Sequence, residues 1–506
     1  MTRGKLRIGI IDLLTGEAAP HKVDSIYHRL FRRQFYGVMP QVVAAWCRRR
    51  GHSVFYGTYY GQRRPESLVP DDLDFIFIAA FTEASALAYA LSKIFRNRGT
   101  QTVLGGPHAR SFSRDATRYF DVVVTDCDQA VIDDILTGDY DRGTIASSGN
   151  RAFDVPLLEE RRPDIETATH LWGRYSGLSV IPLLSSTGCP YDCDFCVDWN
   201  NPYRLRSASD LEADLKYAYR CLARKTLAFY DPNFGVNFNK TMGVMEPIQS
   251  KRRNGYIVES SLSILKQASK LARLKGTNCI YVAPGIESWA NYGRKSGTGN
   301  AGTREKYDQV AEQVELISRY IPGVQTNFMF GSDADQGPEP VELTVSFIRR
   351  YGSVFPGLAV PIAFGSTPLR IRLRSEGRLL PLPPIYYFNP VPTLRFKNYG
   401  IAEFWSGWER IIQAAVDRRT IMQRALAAHQ PILVRMANLV RSLDVIRYQR
   451  SIRKFRDRML LDRSVYDFYN GNSQGVPKYY DYLLDRRLGK YSTLLGAQER
   501  HVLTDE

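Results

Sequence analysis

Three cysteines stand close together in the segment LLSSTGCPYDCDFCVDWN (183–200): Cys189, Cys193 and Cys196. Their spacing, three residues and then two, follows an apolar run. The thiols are therefore expected on a loop at the carboxyl end of a strand, where α/β sheets place their chemistry. Thiolates are soft ligands suited to iron–sulfur clusters or to zinc. A cubane whose four irons all have protein ligands takes four cysteines, so three leave one iron open to bind another molecule. A structural zinc ion would want a fourth ligand at short range and a closed tetrahedron. The nearest candidates, His170 and Cys221, are both about 20 residues or more away. The expected centre is thus an open [4Fe–4S] cluster, with structural zinc or a chance grouping as the alternatives. Cys47, Cys127, Cys221 and Cys279 lie scattered among apolar neighbours and are read as core thiols.

The elements that must position this loop follow from hydrophobic patterning. Hydrophobic residues are 44% and charged residues 24% of the 506, ordinary for a globular chain, and the length suggests about three domains. From residue 5 to about 140, apolar strands (Leu6–Asp12, His52–Tyr56, Leu73–Ala80, Thr102–Leu104, Asp121–Thr125) alternate with helices (Val42–Arg50, Glu83–Phe95, Ala130–Leu136). That alternation predicts a parallel sheet covered on both faces. Residues 141–178 are poorer in pattern, hold Pro156 and Pro163, and read as a linker. A second α/β run spans 179–400, with strands expected at Leu178–Leu184, Thr226–Tyr230, Cys279–Val282, Val324–Phe330 and Leu358–Ile362. Helices are expected between them at Ala208–Ala223, Leu262–Leu274 and Thr303–Tyr320. Residues 401–506 read as a helical, basic region with a Tyr-rich tail.

Too few cysteines are present for a disulfide framework, which fits a reducing compartment. The apolar run at Leu6–Leu14 is interrupted by Arg7 and Asp12 and reads as a first strand, not a signal peptide. The expected location is cytoplasmic. The formal net charge of +16 is compatible with nucleic acid, an anionic membrane, an anionic substrate or simply a solvated Arg-rich surface. The basic run IRYQRSIRKFRDRML (446–460) admits three readings: a solvated helix on the core, a membrane-surface helix, or a contact with an acidic substrate.

TGCPYDCDFC (187–196) resembles the radical S-adenosylmethionine (SAM) signature, a cysteine triad with an aromatic before the third cysteine. The resemblance implies that the open iron chelates SAM and that an electron from the cluster yields a 5′-deoxyadenosyl radical. Phe195 matches the aromatic that packs on adenine. Arg206–Asp214 resembles the helix start after the cluster loop, with Ser209 and Glu212 spaced as a capping box. FYDPNFG (229–235) resembles the acidic end of the second barrel strand, which would aim Asp231 and Asn233 at SAM or substrate; a plain turn is the alternative. PGIES (284–288) resembles the fourth-strand loop, giving Glu287 a role at the SAM amine or ribose. TNFMFG (326–331) resembles the fifth strand and places Met329 beside adenine. STPLRIRLRSEGRL (366–379) resembles the closing segment, where Arg370, Arg372 and Arg374 would face an anion or solvent. The fold implied for this part is a partial (β/α)6 barrel.

Residues 1–140 resemble the Rossmann-like, cobalamin-binding domain that precedes many such barrels, through RRRGHSVF (48–55), FIAAFTEASALAYALSK (77–93) and VLGGPHA (103–109). Gly105 and Gly106 would let backbone approach the corrin, Thr82 and Ser85 would hydrogen-bond it, and His108 is read as a cap of the turn. Two departures stand out. No Asp-x-His-x-x-Gly segment supplies a lower cobalt ligand, as in many members of this class. TDCDQ (125–129) stands where Gly-Glu-Gly-Glu is usual. The expected function is cobalamin-dependent methylation of an unactivated carbon in a small-molecule or lipid-like substrate, with a reductant such as flavodoxin or ferredoxin. Nucleic acid is not the expected partner. The alternatives are a cobalamin-independent radical rearrangement, cyclisation or oxidation, and a non-catalytic zinc or nucleic-acid-binding scaffold.

Overall fold

The computed structural model describes residues 4–18, 36–61, 64–138, 140–149, 154–171, 173–176, 179–248, 253–290, 302–473 and 475–501. Two parallel sheets organise it. The first comprises β1 (Arg7–Leu13), β2 (Ser53–Tyr59), β3 (Phe75–Ala80), β4 (Gln101–Gly105), β5 (Val122–Asp126) and β6 (Thr144–Ser147), in the order β2-β1-β3-β4-β5-β6. The second comprises β7 (Val180–Leu183), β8 (Thr226–Phe229), β9 (Tyr256–Glu259), β10 (Cys279–Ala283), β11 (Gly285–Glu287), β12 (Gly323–Met329) and β13 (Phe355–Ala359). Its order is β11-β12-β10-β9-β8-β7, with β13 beside β12. All pairings within both sheets are parallel. The near-continuous apolar strands of the first sheet follow from this, because it is buried on both faces.

On the first sheet lie helices α1 (Val38–Arg49), α2 (Ser85–Arg96), α3 (Pro107–Ser111) and α4 (Gln129–Thr137). TDCDQ, which lacks the usual glycines, turns out to be helix-starting chemistry: Asp128 Oδ1 accepts from Val131 N at 2.9 Å and caps α4, and Gly138 (φ +85°) ends it.

Residues 141–178 depart from the expected linker. They supply β6, the edge of the first sheet, and helix α5 (Leu158–Thr169), with Pro163 inside it. Charge hid this helix, since only six of its twelve residues are buried. Those six form a joint. The fully buried Arg161 donates to Gln41 Oε1 on α1 (3.2 Å) and to the Pro182 carbonyl on β7 (3.4 Å), tying one sheet to the other. Arg48 donates to Asp164 at 2.8 Å alongside. Leu178, the expected first residue of a strand, lies outside the described residues.

Helix α6 (Ala208–Cys221) follows the cluster loop and is capped by Ser207, whose Oγ accepts from Asp210 N at 3.1 Å, two residues before the expected Ser209. The strand β9 was not expected. The helix expected from Leu262 begins only at Ala268, because Gln267 is extended (φ −98°, ψ 122°). Helices α7 (Thr303–Tyr320), α8 (Glu339–Arg350) and α9 (Pro368–Ser375) belong to the second sheet.

The C-terminal region is helical as expected: α10 (Ile401–Val416), α11 (Arg418–Ala425), α12 (Ile432–Leu461) and α13 (Lys478–Leu488) are its main helices. It returns to the first domain, where Tyr491 donates to Glu66 Oε2 at 2.5 Å and Arg487 pairs with Glu83 at 3.2 Å. No described helix is long and apolar enough to cross a membrane.

Candidate active site

The cysteine loop leaves the carboxyl end of β7 and is pinched at its neck. Ser186 and Thr187 pair antiparallel with Leu205 and Arg204, and Cys189 N donates to Asn201 O at 3.1 Å. The strands come so close that a Cβ on Gly188 (φ +68°) would run into the Pro202 carbonyl. Inside the neck the chain takes successive turns, Cys196 N to Cys193 O and Trp199 N to Cys196 O, each 3.1 Å. Cys189 and Cys193 are buried and Cys196 is half-buried. The Asp198 N–H approaches Cys196 Sγ at 3.5 Å, the contact that tunes an iron-bound thiolate. Among the described residues no three His, Cys, Asp or Glu side chains are grouped to hold a single ion. Three soft donors on one pinched loop, with a backbone donor at one sulfur, fit a cluster that gives each cysteine its own iron.

The loop is held from two sides. Arg372 of α9 donates to Asp194 Oδ2 at 2.7 Å, Leu369 N donates to Asp194 O at 3.0 Å, and Trp199 Nε1 donates to Ser366 O at 2.9 Å. Phe195 packs among Ala363, Leu369, Leu373 and Leu394 of this same segment. From the first domain, Arg110 of α3 reaches Asp198 (3.3 Å) and Asn200 (3.2 Å). Arg370 is buried and donates to Tyr387 Oη at 2.7 Å, so it faces neither solvent nor an anion.

Asp231 is buried just beyond β8, with both oxygens engaged at the start of the cysteine loop: Ser185 N at 2.8 Å, Ser186 Oγ at 2.6 Å and Ser185 Oγ. Burial pushes its carboxyl up to about 6 against the pull of these donors. Asn233 accepts from Ser261 N at 2.8 Å, while its Nδ2 is buried with no partner among the described residues. Such a donor is costly to leave unmade, and it fits the carboxylate or carbonyl of a ligand.

Glu287, in the left-handed conformation (φ +64°), and Met329, at the end of β12, line one narrow cleft together with Ser288 and Phe330. Two residues that the sequence did not flag hold this cleft. The Lys306 ammonium, fully buried on α7, donates to the carbonyls of Ser288 (2.5 Å), Ala290 (3.2 Å) and Ile286 (3.5 Å). Burial pulls it down to about 8, opposed by Glu287 and Asp335. Asp335 accepts from Ser288 Oγ (2.5 Å), Gly331 N (3.0 Å) and Ser332 N (2.9 Å), joining the two strand-end loops.

A cavity of about 460 Å³ runs through the second sheet, from strand starts at Thr226 and Gln325 to strand ends at Asp231 and Glu259. Its walls are largely apolar (Phe229, Ile257, Val258, Ile280). Phe81 of the first domain and Asp198 of the cysteine loop both line it, and Leu433, Val434 and Ala437 of α12 close another side.

In the first domain, Gly106 (φ +89°) lies against Ala80, where a Cβ would come within 3.0 Å of backbone, and Gly105 faces open space. Phe81, 54% exposed, stands at the end of β3. An open glycine flank beside an exposed ring suits a flat macrocycle over the strand ends. Thr82 and Ser85 are buried, and Ser85 Oγ donates to Pro384 O at 3.2 Å, away from such a ligand. His108 is no turn cap. Tyr89 donates to Asp115 Oδ2 (2.8 Å), so its oxygen accepts from His108 Nε2 (2.6 Å), and His108 Nδ1 faces the Thr82 hydroxyl (3.4 Å). Arg118 anchors Asp115 at 2.9 Å, and burial pushes His108 down to about 3. Sequence gave no signal for this chain, whose members lie 19 and 26 residues apart.

No protein-family model matches the chain. It is 23% identical over 321 residues to the bacteriochlorophyllide d C-8(2)-methyltransferase of Chlorobaculum tepidum, covering 60% of this chain and 69% of that protein. It is 28% identical over 209 residues to the hopanoid C-2 methylase of Rhodopseudomonas palustris, covering 38% of each. Among solved structures, the radical SAM methyltransferase TsrM from Kitasatospora setae, with cobalamin and a [4Fe–4S] cluster bound, superposes with a TM-score of 0.59 at 12% identity. The match covers 88% of this chain and all of TsrM. The fold is that of the cobalamin-dependent radical SAM methyltransferases. In this fold the cysteine loop and the end of β3 open onto one cavity through Asp198 and Phe81.

Proposed function

We propose that the protein is a cobalamin-dependent radical SAM C-methyltransferase acting on an unactivated carbon of an apolar small molecule. The observation that carries this reading is the shared cavity: Asp198, two residues past Cys196, and Phe81, at the end of β3, line the same apolar space. In this reading residues 1–140 are the corrin-binding Rossmann domain, 179–400 the partial (β/α)6 barrel and 401–506 a helical cap. Residues 141–178 join the two sheets.

Cys189, Cys193 and Cys196 would hold three irons of the cluster, and Gly105, Gly106 and Phe81 would face the corrin. When bound, the cluster supplies the electron that splits SAM, and the cobalamin supplies a methyl group to the substrate carbon. The protein's own residues position and shield. Asn233 Nδ2 offers a donor to the SAM carboxylate or a substrate oxygen. Glu287, fixed by the Lys306 and Asp335 contacts, offers an acceptor for the SAM amine or ribose, and Met329 flanks it. The cavity walls exclude water around the reacting carbon. The electron comes from an external reductant such as flavodoxin or ferredoxin, and the working compartment is a reducing cytoplasm.

The test is anaerobic reconstitution with iron, sulfide, cobalamin and SAM under strong reductant. S-adenosylhomocysteine and 5′-deoxyadenosine should both accumulate with a methylated product. Full turnover that yields 5′-deoxyadenosine alone would reject methyl transfer, and a protein that holds no iron would reject the whole reading.

A further inference from the structure

Helix α12, which closes one side of the cavity, and its neighbour α11 carry an unusual surface. Along α12, Ile432, Met436, Leu439, Leu443 and Ile446 recur at intervals of four and three, one face of a helix. Ile432 is 71% exposed, and Met436 and Leu443 are each 50% exposed. Helix α11 packs beside it, with Met422 exposed and Leu426, just past its end, 68% exposed. Single exposed apolar residues are commonplace, but a run of this kind on adjoining helices marks a contact surface.

Charge says what kind of surface it meets. Residues 418–461 hold eleven Arg and Lys against two Asp, more than half of the chain's +16. Several of these cations are engaged by partners within the protein. Arg424 is buried on the Ala415 carbonyl, Arg441 donates to Tyr281 Oη at 2.7 Å, and Arg453 pairs with Glu409 at 2.7 Å. Arg418 and Arg419, one turn before Met422, and Arg450, one turn past Ile446, stay exposed at the ends of the apolar face. An apolar stripe bounded by arginines is the pattern of a helix that lies in a membrane interface, its apolar side among acyl chains and its cations at anionic headgroups.

The same helix forms part of the cavity wall. Leu433 is 40% exposed and also lines the cavity, next to Val434 and Ala437. Deeper in, Asn438 is fully buried on that wall, and its Nδ2 has no partner among the described residues. The apolar surface is therefore continuous with a largely apolar interior that holds two buried groups without a partner among the described residues, Asn438 Nδ2 and the Tyr230 hydroxyl. We infer that α11 and α12 dock the protein on an anionic lipid surface, and that an apolar substrate carrying an oxygen acceptor passes from the bilayer past Leu433 into the cavity.

The test uses the full-length protein, sedimented with phosphatidylcholine vesicles or with vesicles containing about one-third phosphatidylglycerol, in the absence of SAM. Binding to the anionic vesicles is expected. It should weaken at least about tenfold in Ile432→Glu/Met436→Glu and about fivefold for each of Arg418→Glu and Arg419→Glu, with circular dichroism unchanged. Ile432→Ser/Met436→Ser, milder in the helix, should give a smaller loss of the same sign. Wild-type protein that stays in the supernatant with both vesicle types overturns the inference, as do apolar variants that bind like wild type. Tight binding to single-stranded RNA that depends on the arginines and ignores the apolar variants would assign the surface to nucleic acid and overturn it too. The assay involves no SAM cleavage, so its outcome is independent of whether the protein transfers methyl groups.

Discussion

Lys306 on α7 donates its ammonium proton to the Ser288 carbonyl at 2.5 Å, holding the loop that carries Glu287 from a helix that begins beyond residues 291–301. The three carbonyls around the ammonium have a full set of donors only while it is charged, and burial brings it to about 8. SAM affinity, measured by equilibrium dialysis on cluster-loaded protein, should therefore decline above pH 8. Global stability should not decline with it. Between about 8 and the ordinary lysine range the unfolded chain holds a proton that the folded chain has released, so this group's contribution rises with pH there. Lys306→Met should weaken SAM binding at every pH and cost about 1–3 kcal/mol in urea unfolding, the penalty for unmet buried carbonyls.

Asp231 ties the end of β8 to the start of the cysteine loop. Asp231→Asn puts an amide donor opposite the Ser185 and Ser186 donors, and should lower stability by about 1–3 kcal/mol and reduce iron retention after desalting. The wild-type carboxyl is raised to about 6, so it binds a proton more readily folded than unfolded. Its stabilising contribution is complete below the ordinary Asp value and is lost as pH rises towards 6. Asp231→Asn should flatten that part of the urea-midpoint profile.

The Asp115–Tyr89–His108 chain predicts the opposite slope. With His108 pushed down to about 3, the unfolded state takes up a proton that the folded state refuses. Stability from this group is complete above the ordinary histidine value and is lost as pH falls from there towards 3. Tyr89→Phe strands His108 Nε2–H in the core and should cost about 1–3 kcal/mol at neutral pH.

Cys196→Ala should abolish the visible absorption of the cluster while leaving circular dichroism intact, because Cys196 is half-buried and no core cluster depends on it. Arg372→Ala removes a grip on Asp194 whose partners are both partly exposed. Such a pair is worth at most about 1 kcal/mol, so iron should be retained at reconstitution but lost faster to a chelator.

Local signals carried much of this arrangement. The triad at 189–196 and the alternation of apolar strands with helices are contiguous in the chain, so spacing alone located the loop after β7 and most strands of both sheets. Residues 141–178 were opaque because half of α5 is charged and it uses Arg161 and Asp164 as buried polar links, which composition reads as surface. Strand β9 is four residues long with only two fully buried, too short for a period to register. Lys306, Asp335 and the Tyr89–His108 pair act through contacts between separate elements, and no spacing in the chain announces them.

The reach of Arg110 to Asp198 and Asn200 has a mechanical corollary. The first domain is latched to the very loop that would carry the metal, so swinging it aside to admit a bulky guest would tug on the thiols. A hinge at that seam would trade cofactor integrity for access. The architecture instead favours a fixed gap between the two domains and a separate doorway on the far side of the cavity.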